Sequence, residues 1–267
     1  MFKTLVFSVA WLGALASFGA TEYFADAING NDEWDGTSET YQGGTVGPKL
    51  SLQAAADAAG EGSTKTDMNI LTLLPGDYTN GVDTVNHCRL YLTAPLLVRS
   101  KNGRASRDTT RIVGEWDVSD PTNTSYPYGL GPNAVRCVTV ASAGDGARFE
   151  GLTFYHGAAP YGSGSGAATS GGAILVNGSV YATVVDCAVR ECQATRGGGI
   201  YNDSADGRVL VARCLFKGRQ PLFEVRSGDA RRQLLLVRLR RQRSDSGCLW
   251  RGQGTGFGRH LGCLRLQ

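Results

Sequence analysis

Proline is scarce, at 8 of 267 residues, and no Gly-X-Y period runs through the chain, so its many glycines do not belong to a collagen-like helix. None of the seven cysteines (Cys88, Cys137, Cys187, Cys192, Cys214, Cys248, Cys263) forms a Cys-x-x-Cys pair or stands at zinc-ligand spacing from a histidine. Zinc and thioredoxin-like chemistry are therefore left without support. The one stretch that suggests a membrane, the uncharged residues 4–21, is short for a span and interrupted by glycine. What is present is an ordinary 42% of hydrophobic and 19% of charged residues, which excludes global disorder. Glycine stands out: 37 residues, roughly twice the usual share, favour a turn-rich β protein.

Met1-Phe2-Lys3 followed by the apolar run Leu5 to Leu15 and then small residues has the layout of a secretory signal peptide over residues 1–20, with cleavage expected between Ala16 and Ala20. Export would place the chain in the secreted or cell-surface space, with no membrane span after cleavage and with cysteines in a compartment where disulfides persist. Charge divides the chain a second time, at Gly218. Residues 219–267 carry 11 arginines against Glu224, Asp229 and Asp245, a net of +8, whereas the first 218 residues have a net of −5. Three readings of this Arg-rich tail stand: sequence read out of frame from about Gly218, a basic segment for anionic partners, and a poorly ordered native end. An exported chain has little reason to meet nucleic acid.

Between these ends, over residues 21–218, two signatures alternate. A glycine turn runs into a short apolar segment at Gly171-Gly172-Ala173-Ile174-Leu175-Val176 and again, 26 residues later, at Gly197-Gly198-Gly199-Ile200-Tyr201-Asn202. An alternating strand is expected three times, at 149–154, 184–189 and 211–216, which puts Cys187 and Cys214 at the same repeat position, 27 residues apart. Units this short cannot bury their own apolar faces, so they must stack on one another. The expected fold is all-β, a parallel β solenoid of four or five coils.

The repeats resemble the right-handed parallel β-helix of the pectin-lyase-like superfamily, and Gly-Gly-Ala-Ile at 171–174 resembles half of the polymorphic outer-membrane protein repeat. The other half, Phe-x-x-Asn, is imperfect, since Phe216 is followed at the third position by Arg219. The opening Tyr23 to Asp32 with Asp35-Gly36-Thr37-Ser38, and the run Ile70 to Tyr78, are also similar to segments of that superfamily. Residues 50–59 read as a short helix with Leu52, Ala55, Ala56 and Ala59 on one face, ended by Gly60. The resemblance implies that this helix caps the solenoid.

Functional residues are less legible. Oxygen side chains at Asp26, Asn31, Asp32 and Asp35 suggest a calcium cage, although Gln42 stands where an EF-hand would close with Glu. A solvated, Asx-rich turn is the competing reading. The resemblance directs attention to Asn-Thr-Asp, paired Asp, Gly-His-Gly and Arg-Ile-Lys as hydrolase motifs, and none of them occurs. Asp186, Arg190, Glu191 and Arg196 lie near one another on one coil; Tyr155, Tyr161, Tyr181 and Tyr201 are candidate sugar-stacking rings; His87 and His156 lack a triad pattern. No catalytic residue or cofactor-binding residue is assigned. The expectation is a non-catalytic secreted or surface glycan-binding, adhesin-like repeat protein, read as a truncated copy; the competing reading is a polysaccharide lyase or glycoside hydrolase whose catalytic coils lie beyond residue 218.

Overall fold

A computed structural model describes residues 19–120, 122–161, 167–203, 207–217, 223–226 and 250–253. The signal-peptide reading of residues 1–18 and most of the tail lie outside these.

Among the described residues, the β-branched and aliphatic segments between glycine turns form seventeen short strands in three sheets, every strand pair parallel. The first sheet holds, in order, β1 (Glu22–Ala25), β2 (Ile70–Leu73), β5 (Leu97–Ser100), β8 (Arg148–Glu150), β11 (Tyr181–Val185) and β14 (Arg208–Ala212). The second holds β3 (Gly76–Tyr78), β6 (Thr110–Val113), β9 (Thr153–Tyr155), β12 (Ala188–Arg190) and β15 (Leu215–Lys217). The third runs from β4 (Cys88–Leu92) through β7 (Arg136–Val140), β10 (Ile174–Val176) and β13 (Ile200–Asn202) to β16 (Phe223–Arg226) and β17 (Trp250–Gln253). From β2 to β16 the chain visits first, second and third sheet in turn and then repeats the circuit, an order consistent with a parallel β-helix. The remaining residues of each circuit supply the long connection that parallel strands require.

The repeat periods become register. Ile174 pairs with Ile200, 26 positions on, and Val184 with Val211, 27 positions on. Each expected alternating strand is in fact two strands meeting at a corner. The break falls at a residue with left-handed backbone, namely Gly151 (φ 65°), Asp186 (φ 54°) or Arg213 (φ 53°), which rotates the chain from the first sheet to the second. Inside the corners lies one continuous core that includes Leu71, Val98, Phe149, Ile112, Phe154, Val184, Val189, Val209 and Val211. Phe149 and Phe154 meet edge to face at 5.8 Å, a favoured aromatic geometry. At the corner beside the third sheet the backbones approach so closely that glycine is required: a Cβ on Gly172 would sit 2.4 Å from the Gln193 carbonyl oxygen.

The N-terminal end of the stack is closed by α1 (Leu52–Gly60), which packs on β1, β2 and β4. Its buried residues are Leu52, Ala55, Ala56 and Ala59, the face read from the sequence. Ser51 caps it by accepting a hydrogen bond from the Ala54 N–H. The Gln53 amide then stands in for a neighbouring strand at the edge of β4, accepting from the Tyr91 N–H at 2.9 Å and donating to the Tyr91 carbonyl at 3.2 Å. At the other end, two segments of the Arg-rich tail extend the third sheet, with Phe223 opposite Ile200 and Trp250 opposite Phe223. Pairing through backbone groups does not depend on the Gly-Gly-Ala-Ile signature, so a sheet edge can be extended by sequence that lacks it.

Candidate functional site

Because side chains alternate across a strand, the second sheet sends one column inward and two outward. Ile112, Phe154, Val189 and Phe216 point inward in register; all but Phe216 are fully buried, and Phe216 packs against the same core. One outward column runs Asp77, Arg111, Thr153, Ala188, Leu215, and the other runs Val113, Tyr155, Arg190, Lys217. Long side chains in one column beside the short Thr153 and Ala188 in the other leave a cavity of about 440 Å³, lined by Arg111, Thr153, Tyr155, Arg190, Glu191, Leu215 and Lys217.

Its central group is Tyr155. The Arg111 guanidinium lies 5.3 Å from the ring centroid, in cation–π range, and is held by a bidentate pair with Asp77. The Tyr155 hydroxyl donates to Glu191 Oε2 at 3.2 Å. Burial, reinforced by the neighbouring Glu191 charge, raises the Tyr155 pKa and keeps the phenol a donor. Arg190 is tied to Asp108 at 2.8 Å, on the short 3-10 helix Gly103–Thr109 that walls the groove near its first corner.

An aromatic cluster lies beside Tyr155, next to the residues that line the cavity. Trp116 stacks on His156 with centroids 4.2 Å apart and donates its indole N–H to the Glu191 carbonyl at 3.1 Å. Tyr128 meets Trp116 edge-on at 6.4 Å, and the Gln193 amide holds the Tyr128 carbonyl at 3.1 Å. His156 itself is half-buried with left-handed backbone (φ 55°), and burial lowers its pKa, so the imidazole is neutral near pH 7. Trp116 and Tyr128 come from the segment between β6 and β7, a small hairpin-like excursion bridged at Glu115–Val135 and Asp117–Gly129.

The expected charged cluster is thus divided. Arg190 and Glu191 line the groove. Asp186 sits at the preceding corner, where a bidentate bond from Arg213 lowers its pKa. Arg196 belongs to the turn before β13. Of the four candidate tyrosines only Tyr155 reaches the groove: Tyr181 is exposed on the first sheet beside Arg208, Tyr201 is buried in the third, and Tyr161 is exposed on a loop. The sequence reading missed Arg111, Lys217, Trp116 and Tyr128. Register would have found the first two; for the aromatics the available signal was a long stretch, 114–135, that fits neither repeat signature.

The four residues of the expected calcium cage bond backbone groups in the structure. Asp26 accepts from the Ile28 and Asn29 N–H groups, Asn31 from Glu33, Asp32 from Leu50 and Ser51, and Asp35 from both N–H and hydroxyl of Thr37. The Thr37 N–H is the main reason the Asp35 pKa is lowered. Asp26, Asn31 and Asp35 thus serve N–H groups two or three residues on, Asp32 serves the start of α1, and among the described residues no three His, Cys, Asp or Glu gather as a metal site.

Comparison with known protein families, with curated proteins and with solved structures finds no match to this chain. The functional reading therefore rests on the groove. A ring flanked by donors and acceptors suits a sugar, whose ring has apolar C–H faces and a hydroxyl rim. Among the described residues that line the cavity, Glu191 is the carboxylate.

Proposed function

We propose that this is an exported right-handed parallel β-helix protein of the pectin-lyase-like kind that binds a cell-surface or matrix glycan along the second sheet without cleaving it. The observation that carries this reading is Tyr155, a ring held between Arg111 and Glu191 in an open groove, with His156 and Trp116 stacked beside it. A sugar stacked there would exchange hydrogen bonds with Glu191, Arg190 and Lys217. The test is retention of the protein on a panel of immobilised plant, bacterial and animal polysaccharides. Binding to at least one is expected to fall tenfold or more in Tyr155→Ala, with an unchanged melting temperature. Failure of the intact protein to bind any of them sinks the proposal.

A second reading, a polysaccharide lyase, draws on the two cations Arg190 and Lys217 beside Tyr155, since abstraction of a proton next to a uronate carboxylate needs a base and a charge-stabilising cation. Its signature is an unsaturated product absorbing in the ultraviolet. Such a product, lost in Lys217→Ala, would replace binding with catalysis as the function of the groove.

A further inference from the structure

Five cysteines are described, all buried and carried as free thiols, and four of them come together in twos. Cys187 and Cys214 occupy the same corner of successive circuits. Val185 pairs with Ala212 before them and Ala188 with Leu215 after them, and the Leu215 N–H donates to the Cys187 carbonyl at 2.9 Å. Both follow a left-handed residue, Asp186 and Arg213, and those two are themselves ion-paired across the circuits. The two cysteines thus share backbone geometry and are one inter-strand step apart, about 4.8 Å, inside the 4.4–6.8 Å separation of Cα atoms that a disulfide spans. The two thiols are held alike, Cys187 donating to the Val185 carbonyl and Cys214 to the Ala212 carbonyl, each at 3.2 Å. Burial pushes the Cys187 thiol up, whereas the neighbouring Cys187 holds Cys214 down, so Cys214 is the better nucleophile of the two.

The second pair is a built-in control. Cys192 and Cys137 both lie beside Gly157, whose N–H donates to the Cys192 sulfur at 3.4 Å and where an added Cβ would lie 2.8 Å from the Cys137 sulfur. Their backbones, however, are two circuits apart, Cys137 in β7 and Cys192 between β12 and β13. Two steps of about 4.8 Å exceed the reach of a disulfide.

We propose that Cys187 and Cys214 are an oxidation site and form a disulfide that staples successive circuits beneath the Asp186–Arg213 corner, while Cys137 and Cys192 remain thiols. The bond forms by exchange with a small disulfide while the circuits are stacking and the thiols are still accessible. The Cys214 thiolate attacks one sulfur of oxidised glutathione and expels glutathione thiolate. The Cys187 thiol, losing its proton to solvent, then displaces the second glutathione, so that two thiols are oxidised and one disulfide is reduced.

The test is to refold the reduced full-length chain in a glutathione redox buffer, quench with an alkylating agent, digest without reductant and sequence the peptides. A Cys187–Cys214 linked peptide is expected as the main cross-link, with Cys137 and Cys192 alkylated. Closing a loop of this length should raise the melting temperature by roughly 10 °C over the reduced protein, and Cys214→Ser should lose both the link and the shift. If Cys214→Ser does not fold, Cys192→Ser serves instead and must keep the link. Alkylation of both Cys187 and Cys214 in the refolded oxidised protein, or their linkage to other cysteines, overturns the proposal.

Discussion

Two clusters of polar side chains, the N-terminal turns over residues 26–51 and the groove on the second sheet, differ in where their hydrogen bonds go. In the turns, side-chain oxygens serve the backbone that carries them: Asp32 alone holds the N–H groups of Leu50 and Ser51 and so sets the chain at the start of α1. In the groove, Tyr155, Arg190 and Lys217 project from a strand whose backbone is already paired on both sides or at its inner edge. Their heads bond other side chains instead of the sheet's own backbone, Tyr155 to Glu191 and Arg190 to Asp108. Density of oxygen in the sequence thus marks turn construction, and recognition is marked by polar residues stacked in register on a regular sheet.

The largest expected effect separates the two faces of one strand. Phe154 points into the core between Thr153 and Tyr155, so Phe154→Ala should cost about 3–5 kcal/mol, chiefly as a cavity beneath the groove. Tyr155→Ala, one residue on, removes an outward ring and should cost less than about 1 kcal/mol while removing glycan retention. Urea denaturation of the two variants reads the difference directly. Equal losses of stability would mean that Tyr155 is a packing residue, and the groove would lose its central group.

A smaller effect tests the N-terminal end. Asn69 is buried and accepts from the Thr21 N–H while its amide donates to the Ala59 and Glu61 carbonyls, tying the chain start to the end of α1. Asn69→Ala should destabilise by about 2–3 kcal/mol, because it strands three backbone groups. Hydrogen exchange should accelerate in β1 and α1 first, with glycan retention unchanged at a temperature where the protein stays folded. Loss of retention at that temperature would show that the cap and the groove act as one unit.

How much of this was legible follows from the same distinction. The face of α1 and the pairing of Ile174 with Ile200 were readable because helix periodicity and a repeat interval are local or self-similar signals. The corners were not, since Asp186 and Arg213 adopt a backbone that sequence normally reserves for glycine, and a six-residue alternating run looks like one strand. Trp116 and Tyr128 were hidden for another reason. They reach the groove through tertiary folding of a segment outside the repeat, held by contacts to Glu191 and Gln193 that are more than 60 positions away.

The smallest expected effect is that of calcium. For the ion to take the Oδ1 atoms of Asp26, Asn31, Asp32 and Asp35, it would have to displace N–H groups that are bonded to them at 2.7–3.1 Å, leaving those donors without partners. Each stranded donor costs about 1–3 kcal/mol, which works against the gain from coordination. Millimolar calcium should therefore move the melting temperature by less than about 1 °C, within the scatter expected for a cation at an unbuilt site. A larger rise that disappears in Asp32→Asn would show that the turns rearrange around a metal. The N-terminal cluster would then face a ligand as the groove does, and the contrast between the two regions would fail.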